Sequence, residues 1–220
     1  MTTNPAPSRL HNQTSATEPR NGTVRMTMRP WKVLARRSLL KIPPWIEVAS
    51  EQVELPSGQI IDDYYTIKLL DYAVIVALTP DGYVVAERHY KHALRTVTLC
   101  LPAGYLDDGE VPLDGAQREL REETGYASNN WTALGKFVID GNRGCGTAHF
   151  FLAQDCRKVG QPDGSDLEEI QIAFLTIEAM LSELQDGLRS GHALEMPTLT
   201  ALSLARNELS DPSSTPPKGT

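Results

Sequence analysis

The chain has 220 residues, and its 21 basic and 28 acidic residues give a formal net charge of −7. Hydrophobic residues make up 40% of the chain, which is enough for a sizeable core. The acidic balance argues against a nucleic acid or an anionic membrane as partner, because basic surfaces hold both. An anionic substrate would therefore need a cation to mediate its binding.

Two further features bound the class of protein. No apolar run approaches the roughly 18 residues that span a bilayer, and the N-terminus lacks the apolar region of a signal peptide. The three cysteines form no CxxC pair, which predicts neither a disulfide framework nor a thiolate zinc site. We therefore expect a soluble, cytoplasmic protein.

In chain order, the first segment is a polar stretch over residues 1–30, which predicts a disordered tail. Because it holds four arginines against one acid, an organelle-targeting segment is the alternative, although no clear amphipathic helix is visible. Residues 31–70 then alternate apolar and polar positions with the period of two that predicts an antiparallel β module.

The rest of the core mixes strands and helices. A hairpin with the turn Pro80-Asp81-Gly82 is followed by a helix from Pro112 to Thr124. Strands are predicted at 132–140, 147–153 and 170–176, and helices close the core before a second polar tail at 208–220. Strands and helices without strict alternation predict an α+β fold, with the main domain over residues 71–207.

The most informative stretch covers residues 104–126, GYLDDGEVPLDGAQRELREETGY. On a helical wheel, Ala116, Leu120 and Thr124 form one core-facing stripe. Glu119 and Glu123 fall beside that stripe, one turn apart, and Glu122 extends the same acidic wall.

Such a wall needs positive charge, since like charges one turn apart repel each other. Arg118 reaches Glu122 at i+4, and a hard divalent cation such as magnesium would satisfy the other carboxylates. A solvated acidic helix face is the alternative. The position of the carboxylates at the border of the core argues against it.

These residues resemble the Nudix box, GX5EX7REUXEEXGU with U a bulky apolar residue, and Tyr126 in the last slot is the one departure. The resemblance implies an α/β/α sandwich with a mixed sheet, and hydrolysis of a nucleoside diphosphate linked to another moiety. It implies that Mg²⁺ or Mn²⁺ is bound by four groups: the carboxylates of Glu119, Glu122 and Glu123 and the backbone carbonyl of Ala103. Arg118 would orient the carboxylates and take part in catalysis with Glu122. Gly104, Glu110 and Gly125 would shape the loop and the helix end.

The flanking residues resemble the ADP-ribose pyrophosphatase branch of that family, in which an N-terminal β module commonly exchanges between the subunits of a homodimer. This implies a nucleotide-sugar substrate, ADP-ribose or a related nucleoside diphosphate sugar. GDP-mannose, a dinucleoside polyphosphate or NADH is the alternative substrate, and a non-catalytic nucleotide-sensing module is the alternative function. The chain has His89-Tyr90-Lys91 where the branch usually has Gln-Tyr-Arg.

Five further residues are candidates outside the box. In this branch the general base comes from a loop after the box, and Glu168 is our first candidate, with Glu169 second. Arg143 is a candidate to bind a phosphate or the terminal sugar, alongside Gly104 in the box. Trp45, like Trp31, could stack on an adenine ring, but we favour packing in an aromatic core for both.

Overall fold

The computed structural model describes residues 29–163 and 170–211. The elements within these ranges are twelve strands and three helices. In chain order they are β1 (Lys32–Ile42), β2 (Ile46–Glu54), β3 (Ile60–Leu69), β4 (Tyr72–Ala77), β5 (Val84–Lys91), β6 (Thr96–Cys100), β7 (Ala103–Tyr105), α1 (Pro112–Thr124), β8 (Tyr126–Ala127), β9 (Asn130–Asp140), β10 (Gly144–Gln154), β11 (Arg157–Lys158), β12 (Ile170–Leu175), α2 (Ile177–Arg189) and α3 (Met196–Ser210).

The N-terminal strands β1, β2 and β3 pair antiparallel in sequence order. They continue the main sheet through one parallel pairing, between Ile67 of β3 and Gly144 of β10. β1 is an edge strand and is exposed along its whole length. The β module predicted from alternation therefore consists of three strands, one of which lacks cover from the rest of the described chain.

The centre of the main sheet is formed by β4 and β10, which run parallel. β7 pairs antiparallel with the other side of β4, and β9 pairs antiparallel with β10. All residues of β4 after Tyr72 are buried, as is typical of a strand covered on both faces.

Helices cover both faces of this sheet. Ala73 and Ile75 of β4 pack against Ala116 and Leu120 of α1 on one face. The alternate residues of β4 pack on the other face against buried side chains of α2 and α3, such as Met180. The predicted α/β/α sandwich with a mixed sheet is thereby confirmed.

A second sheet, in the order β12-β5-β6, lies beside this sandwich and is antiparallel throughout. On β5, Val85 faces the cluster that contains α1, and Val84 and Ala86 face the opposite cluster. Residues 87 and 89 therefore point to the same side as Val85, towards α1.

The sequence predictions hold well at the level of elements. The helix expected from Pro112 to Thr124 has those bounds, and the strand expected at 147–153 is the centre of β10. In the described ranges, no helix combines the length and the apolar character that crossing a membrane requires.

Candidate active site

Helix α1 begins and ends where its sequence favours. Pro112 occupies the first turn, where the missing N–H costs no hydrogen bond. Gly125 ends the helix with a φ of 73°, and its N–H donates to the carbonyl of Arg121 at 2.9 Å. A Cβ at Gly125 would lie 2.5 Å from the carbonyl oxygen of Gly160. Both the turn and the close backbone approach therefore require glycine.

Arg118 joins the acidic residues of the box. Its Nε and Nη2 donate to the two carboxylate oxygens of Glu110 at 3.0 and 2.9 Å. Nη1 donates to Glu119 at 2.6 Å and to Glu122 at 3.2 Å. Nη2 also donates to the carbonyl of Tyr105 at 3.0 Å. The i+4 contact with Glu122 expected from spacing is confirmed, and the guanidinium additionally bridges the helix to the preceding loop.

Glu110 is the anchor of this arrangement. Its carboxylate also accepts the N–H of Asp107 at 3.0 Å. The hydrogen bonds from Arg118 and then from Asp107 hold the pKa of Glu110 below its usual value. Glu110, followed by Glu119, in turn raises the pKa of the Arg118 guanidinium. The pair therefore stays charged, and the loop remains tied to α1.

Glu119 lies directly against the backbone of β7. A Cβ built on Gly104 would stand 2.0 Å from the carboxylate carbon of Glu119 and 2.2 Å from each of its oxygens. Only glycine leaves room for this carboxylate. A side chain at position 104 and the Glu119 carboxylate in this position therefore exclude each other.

The edge of β7 also presents a backbone carbonyl to the site. Val74 lies opposite Ala103, and the N–H of Ile75 donates to the carbonyl of Pro102 at 2.9 Å. Because hydrogen-bonded and non-hydrogen-bonded pairs alternate along an antiparallel ladder, the N–H and C=O of Ala103 both point away from β4. The N–H donates to Glu123 at 2.8 Å. The Ala103 carbonyl thus points to the side on which Glu123 lies.

The surroundings of Glu123 favour the protonated form of its carboxyl group. Burial, and then the charges of Glu87 and Glu119, raise the pKa of Glu123 to about 9. Without a cation, three carboxylates in one region favour holding a proton over full ionisation.

A cavity of about 990 Å³ extends from the Glu110 loop to the N-terminal strands. The rings of Trp45 and Tyr105 meet edge to face in its wall, 6.3 Å apart. Three lysines, Lys41, Lys68 and Lys136, also line it, together with several acidic residues. Trp45 is 59% exposed and Trp31 is 48% exposed, so the aromatic core that we favoured for them is wrong.

Arg143 lies elsewhere. It lines a second cavity, of about 360 Å³, together with Trp31 and Tyr64. Val74 of β4 pairs with Ala103 on one side and with Phe150 on the other. Arg143 precedes Phe150 by seven residues, and so it lies towards the far end of β10 from Ala103. Its guanidinium pairs with Asp140 at 3.6 Å. The structure does not bring Arg143 to the carboxylates of α1 within one chain, and its binding of substrate stays a prediction.

The general-base candidates stay predictions, and one residue near the carboxylates was not predicted from the sequence. Glu168 and Glu169, the candidate general bases, lie outside the described residues. Glu87, whose charge raises the pKa of Glu123, was not among the sequence candidates. Its signal was a carboxylate two positions after Val85, on the inward face of a predicted strand, where an acid is rare unless it has a role.

Comparison with known proteins places this site in a family. The family model of the NUDIX domain matches residues 69–196, and that of the nucleoside diphosphate sugar hydrolase N-terminal domain matches residues 31–67. The solved structure of an ADP compounds hydrolase superposes with a TM-score of 0.72, at 21% identity, over 86% of this chain and 99% of that chain. This similarity shows the shared fold.

Two curated relatives carry the same name. The ADP-ribose pyrophosphatase of Bacillus subtilis is 28% identical over 144 residues, which cover 66% of this chain and 74% of the relative. The ADP-ribose pyrophosphatase of Mycobacterium tuberculosis is 32% identical over 114 residues, which cover 51% and 55%. With the NUDIX model matching more than half of its length, and the box residues gathered around Arg118, this chain belongs to the Nudix hydrolase family.

Proposed function

We propose that this Nudix hydrolase cleaves the diphosphate bond of ADP-ribose or a related nucleoside diphosphate sugar with Mg²⁺ or Mn²⁺. The products would be a nucleoside monophosphate and a sugar phosphate. The observation that carries the proposal is the convergence of Glu119 and Glu122 on Arg118, beside the outward-facing backbone of Ala103. The match of residues 31–67 to the N-terminal domain of nucleoside diphosphate sugar hydrolases, and the names of the two relatives, support the substrate class.

The residues fit a hard divalent cation. The donors are three carboxylates, Glu119, Glu122 and Glu123, and the Ala103 carbonyl, all of them oxygen ligands of the kind that Mg²⁺ prefers. Gly104 leaves open the space that the Glu119 carboxylate occupies. The raised pKa of Glu123 shows that a positive charge bound beside this carboxylate would be stabilised. When bound, such a cation polarises phosphoryl oxygens and lowers the pKa of the attacking water.

The chain's own residues have separable tasks in this proposal. Arg118 orients two carboxylates through one nitrogen while Glu110 fixes the other side of its guanidinium. The N–H of Ala103 holds Glu123 in place. Glu168, or else Glu169, would take the proton of the attacking water as general base.

The larger cavity is our candidate for the nucleotide sugar. Trp45 offers an exposed indole face for a base, and Lys41, Lys68 and Lys136 offer cationic groups to an anionic substrate. They share the cavity with five acidic residues, so the proposed divalent cation is still needed to neutralise an anionic diphosphate.

We also propose a homodimer formed through residues 31–70, ahead of a hydrolase domain over residues 71–207. The edge strand β1 leaves Val33, Leu40 and Ile42 about half exposed. An exposed edge strand with apolar side chains is a template for pairing with another chain. Light scattering on the purified protein tests this, and a monomer at micromolar concentration would contradict it.

A cytoplasmic location is supported by the free state of the three cysteines.

The experiment that tests the activity is a substrate panel with Mg²⁺ and product identification. Alkaline phosphatase releases phosphate from AMP and ribose 5-phosphate but not from intact ADP-ribose, so coupled phosphate release reports hydrolysis directly. Preferred turnover of GDP-mannose, a dinucleoside polyphosphate or NADH would replace the substrate assignment. Binding of ADP-ribose without phosphate release would identify a sensing module instead.

A further inference from the structure

A second group of potential metal ligands lies on the face of β5 and β6 that points towards α1. Glu87, His89 and Cys100 each offer one donor atom, and these atoms all lie within 4.8 Å of one another. The three residues are 1%, 2% and 2% exposed. They are therefore a buried cluster and not part of a solvated surface.

Strand geometry explains why these residues meet. Glu87 and His89 are two positions apart on β5, so their side chains point to the same face. Cys100 lies directly opposite Glu87 on β6, and Thr98 lies opposite His89. Four polar side chains thus share one patch of a two-stranded ladder, in a part of the sheet where apolar residues would normally pack.

The chemistry of this set differs from that of α1. An imidazole, a thiolate and a carboxylate are donors that suit Zn²⁺, whereas Mg²⁺ takes oxygen ligands. The hydroxyl of Thr98 supplies a second, independent observation. It is buried and has no hydrogen-bond partner in the described ranges, and it stands on the same face as the three donors. A water bound as fourth ligand would give that hydroxyl its partner.

We propose that Glu87, His89 and Cys100 form a Zn²⁺ site, separate from the carboxylates of α1, with a water as fourth ligand next to Thr98. Binding forms a bond between zinc and the Cys100 sulfur and releases the thiol proton to solvent. The ion would tie β5 to β6 behind Glu123, and the proposal does not depend on the substrate assigned above.

Lys91 is the group that such an ion must displace. Its Nζ lies 2.9 Å from Nδ1 of His89. Lys91 ends β5 and is only partly buried, so its long stem can move the ammonium to solvent when a dication arrives. Removing this competing charge in Lys91→Met should tighten zinc binding several-fold.

The test is Zn²⁺ binding to the full-length protein in excess Mg²⁺, measured by calorimetry and by metal analysis after dialysis. We expect one tightly held Zn²⁺ per chain, and a loss of affinity of roughly 100-fold or more in Cys100→Ser and in His89→Gln. Cys145→Ser and His192→Gln are matched controls, since they remove the same groups outside the cluster. Glu122→Gln should retain the zinc while losing hydrolysis, which separates this proposal from the proposed function.

Co²⁺ substitution keeps the test independent of whether the variants fold. In the Cys145→Ser protein, Co²⁺ bound at the cluster gives a thiolate-to-cobalt charge-transfer absorption. Absence of that band, or zinc binding that is equal in folded Cys100→Ser and Cys145→Ser proteins, would overturn the proposal.

Discussion

The carboxylate of Glu119 fills the space in which any side chain of residue 104 would have to begin, with 2.0 Å between its carbon and the position of a Cβ on Gly104. This contact joins β7 to α1 across the candidate site. The overlapping atoms belong to the end of the Glu119 side chain and not to the backbone. A larger residue at 104 would therefore displace the Glu119 carboxylate without changing the path of the backbone.

Gly104→Ala should therefore separate activity from stability. We expect a loss of turnover of about 100-fold or more, because the Glu119 carboxylate must leave its place. The melting temperature should change little. The matched control is Gly141→Ala, since a Cβ there meets nothing within 4 Å. Steady-state hydrolysis and thermal melts of both variants decide the matter, and full activity in Gly104→Ala would contradict the assigned role of the glycine.

Glu122→Gln should lower turnover by at least about 100-fold with the fold intact, because it removes a charged contact to the proposed cation at the transition state. Its side chain is 44% exposed and makes one 3.2 Å contact with Arg118, so little stability depends on it. Asp114→Asn, on an exposed position of the same helix, is the control. Near-normal turnover in Glu122→Gln with unchanged Mg²⁺ affinity would refute the prediction.

Glu110 should make the fold sensitive to acid. Its pKa is lowered in the folded protein, chiefly by the hydrogen bonds from Arg118. A lowered folded-state pKa contributes stability above the unfolded value of 4.5, and this contribution is lost as the pH falls through the folded-state value. Glu110→Gln should thus cost about 1–2 kcal/mol near neutral pH.

The difference in free energy of unfolding between wild type and Glu110→Gln should shrink as the pH falls below about 4.5. In that range the wild type loses a stabilising contribution that the variant lacks at every pH. Urea unfolding of both proteins at several pH values measures this. A gap between wild type and Glu110→Gln that stays constant down to about pH 3 would show that the pairing with Arg118 is not the cause.

Trp45→Ala should raise the KM for ADP-ribose by about 3- to 10-fold with little change in kcat, because an exposed ring that stacks on a base contributes about 0.5–1.5 kcal/mol. Tyr83→Ala removes a similarly exposed ring in the turn between β4 and β5 and serves as control. Equal KM values for the two variants would remove Trp45 from the substrate site.

Contacts between residues close together in the sequence made much of this protein predictable from its sequence. The bounds of α1 follow from Pro112 and Gly125, and the burial of Ala116, Leu120 and Thr124 follows from the helical period. Spacing along one helix placed the carboxylates on one wall and Arg118 within reach of Glu122, as the structure shows. These relationships lie within a few turns, where backbone geometry alone relates one side chain to the next.

Relationships across the sheet needed the tertiary structure. Glu87 approaches Glu123, Trp45 contacts Tyr105, and Arg143 lines a different cavity from the one that Trp45 lines. Each depends on which strands are neighbours and in what register, and a one-residue slip in register would turn every side chain to the other face. What the sequence determined by itself was the helix, its acidic wall and the family to which the box belongs. The order of the strands decided which distant residues join that wall, because strand pairing is set by contacts between segments far apart in the chain.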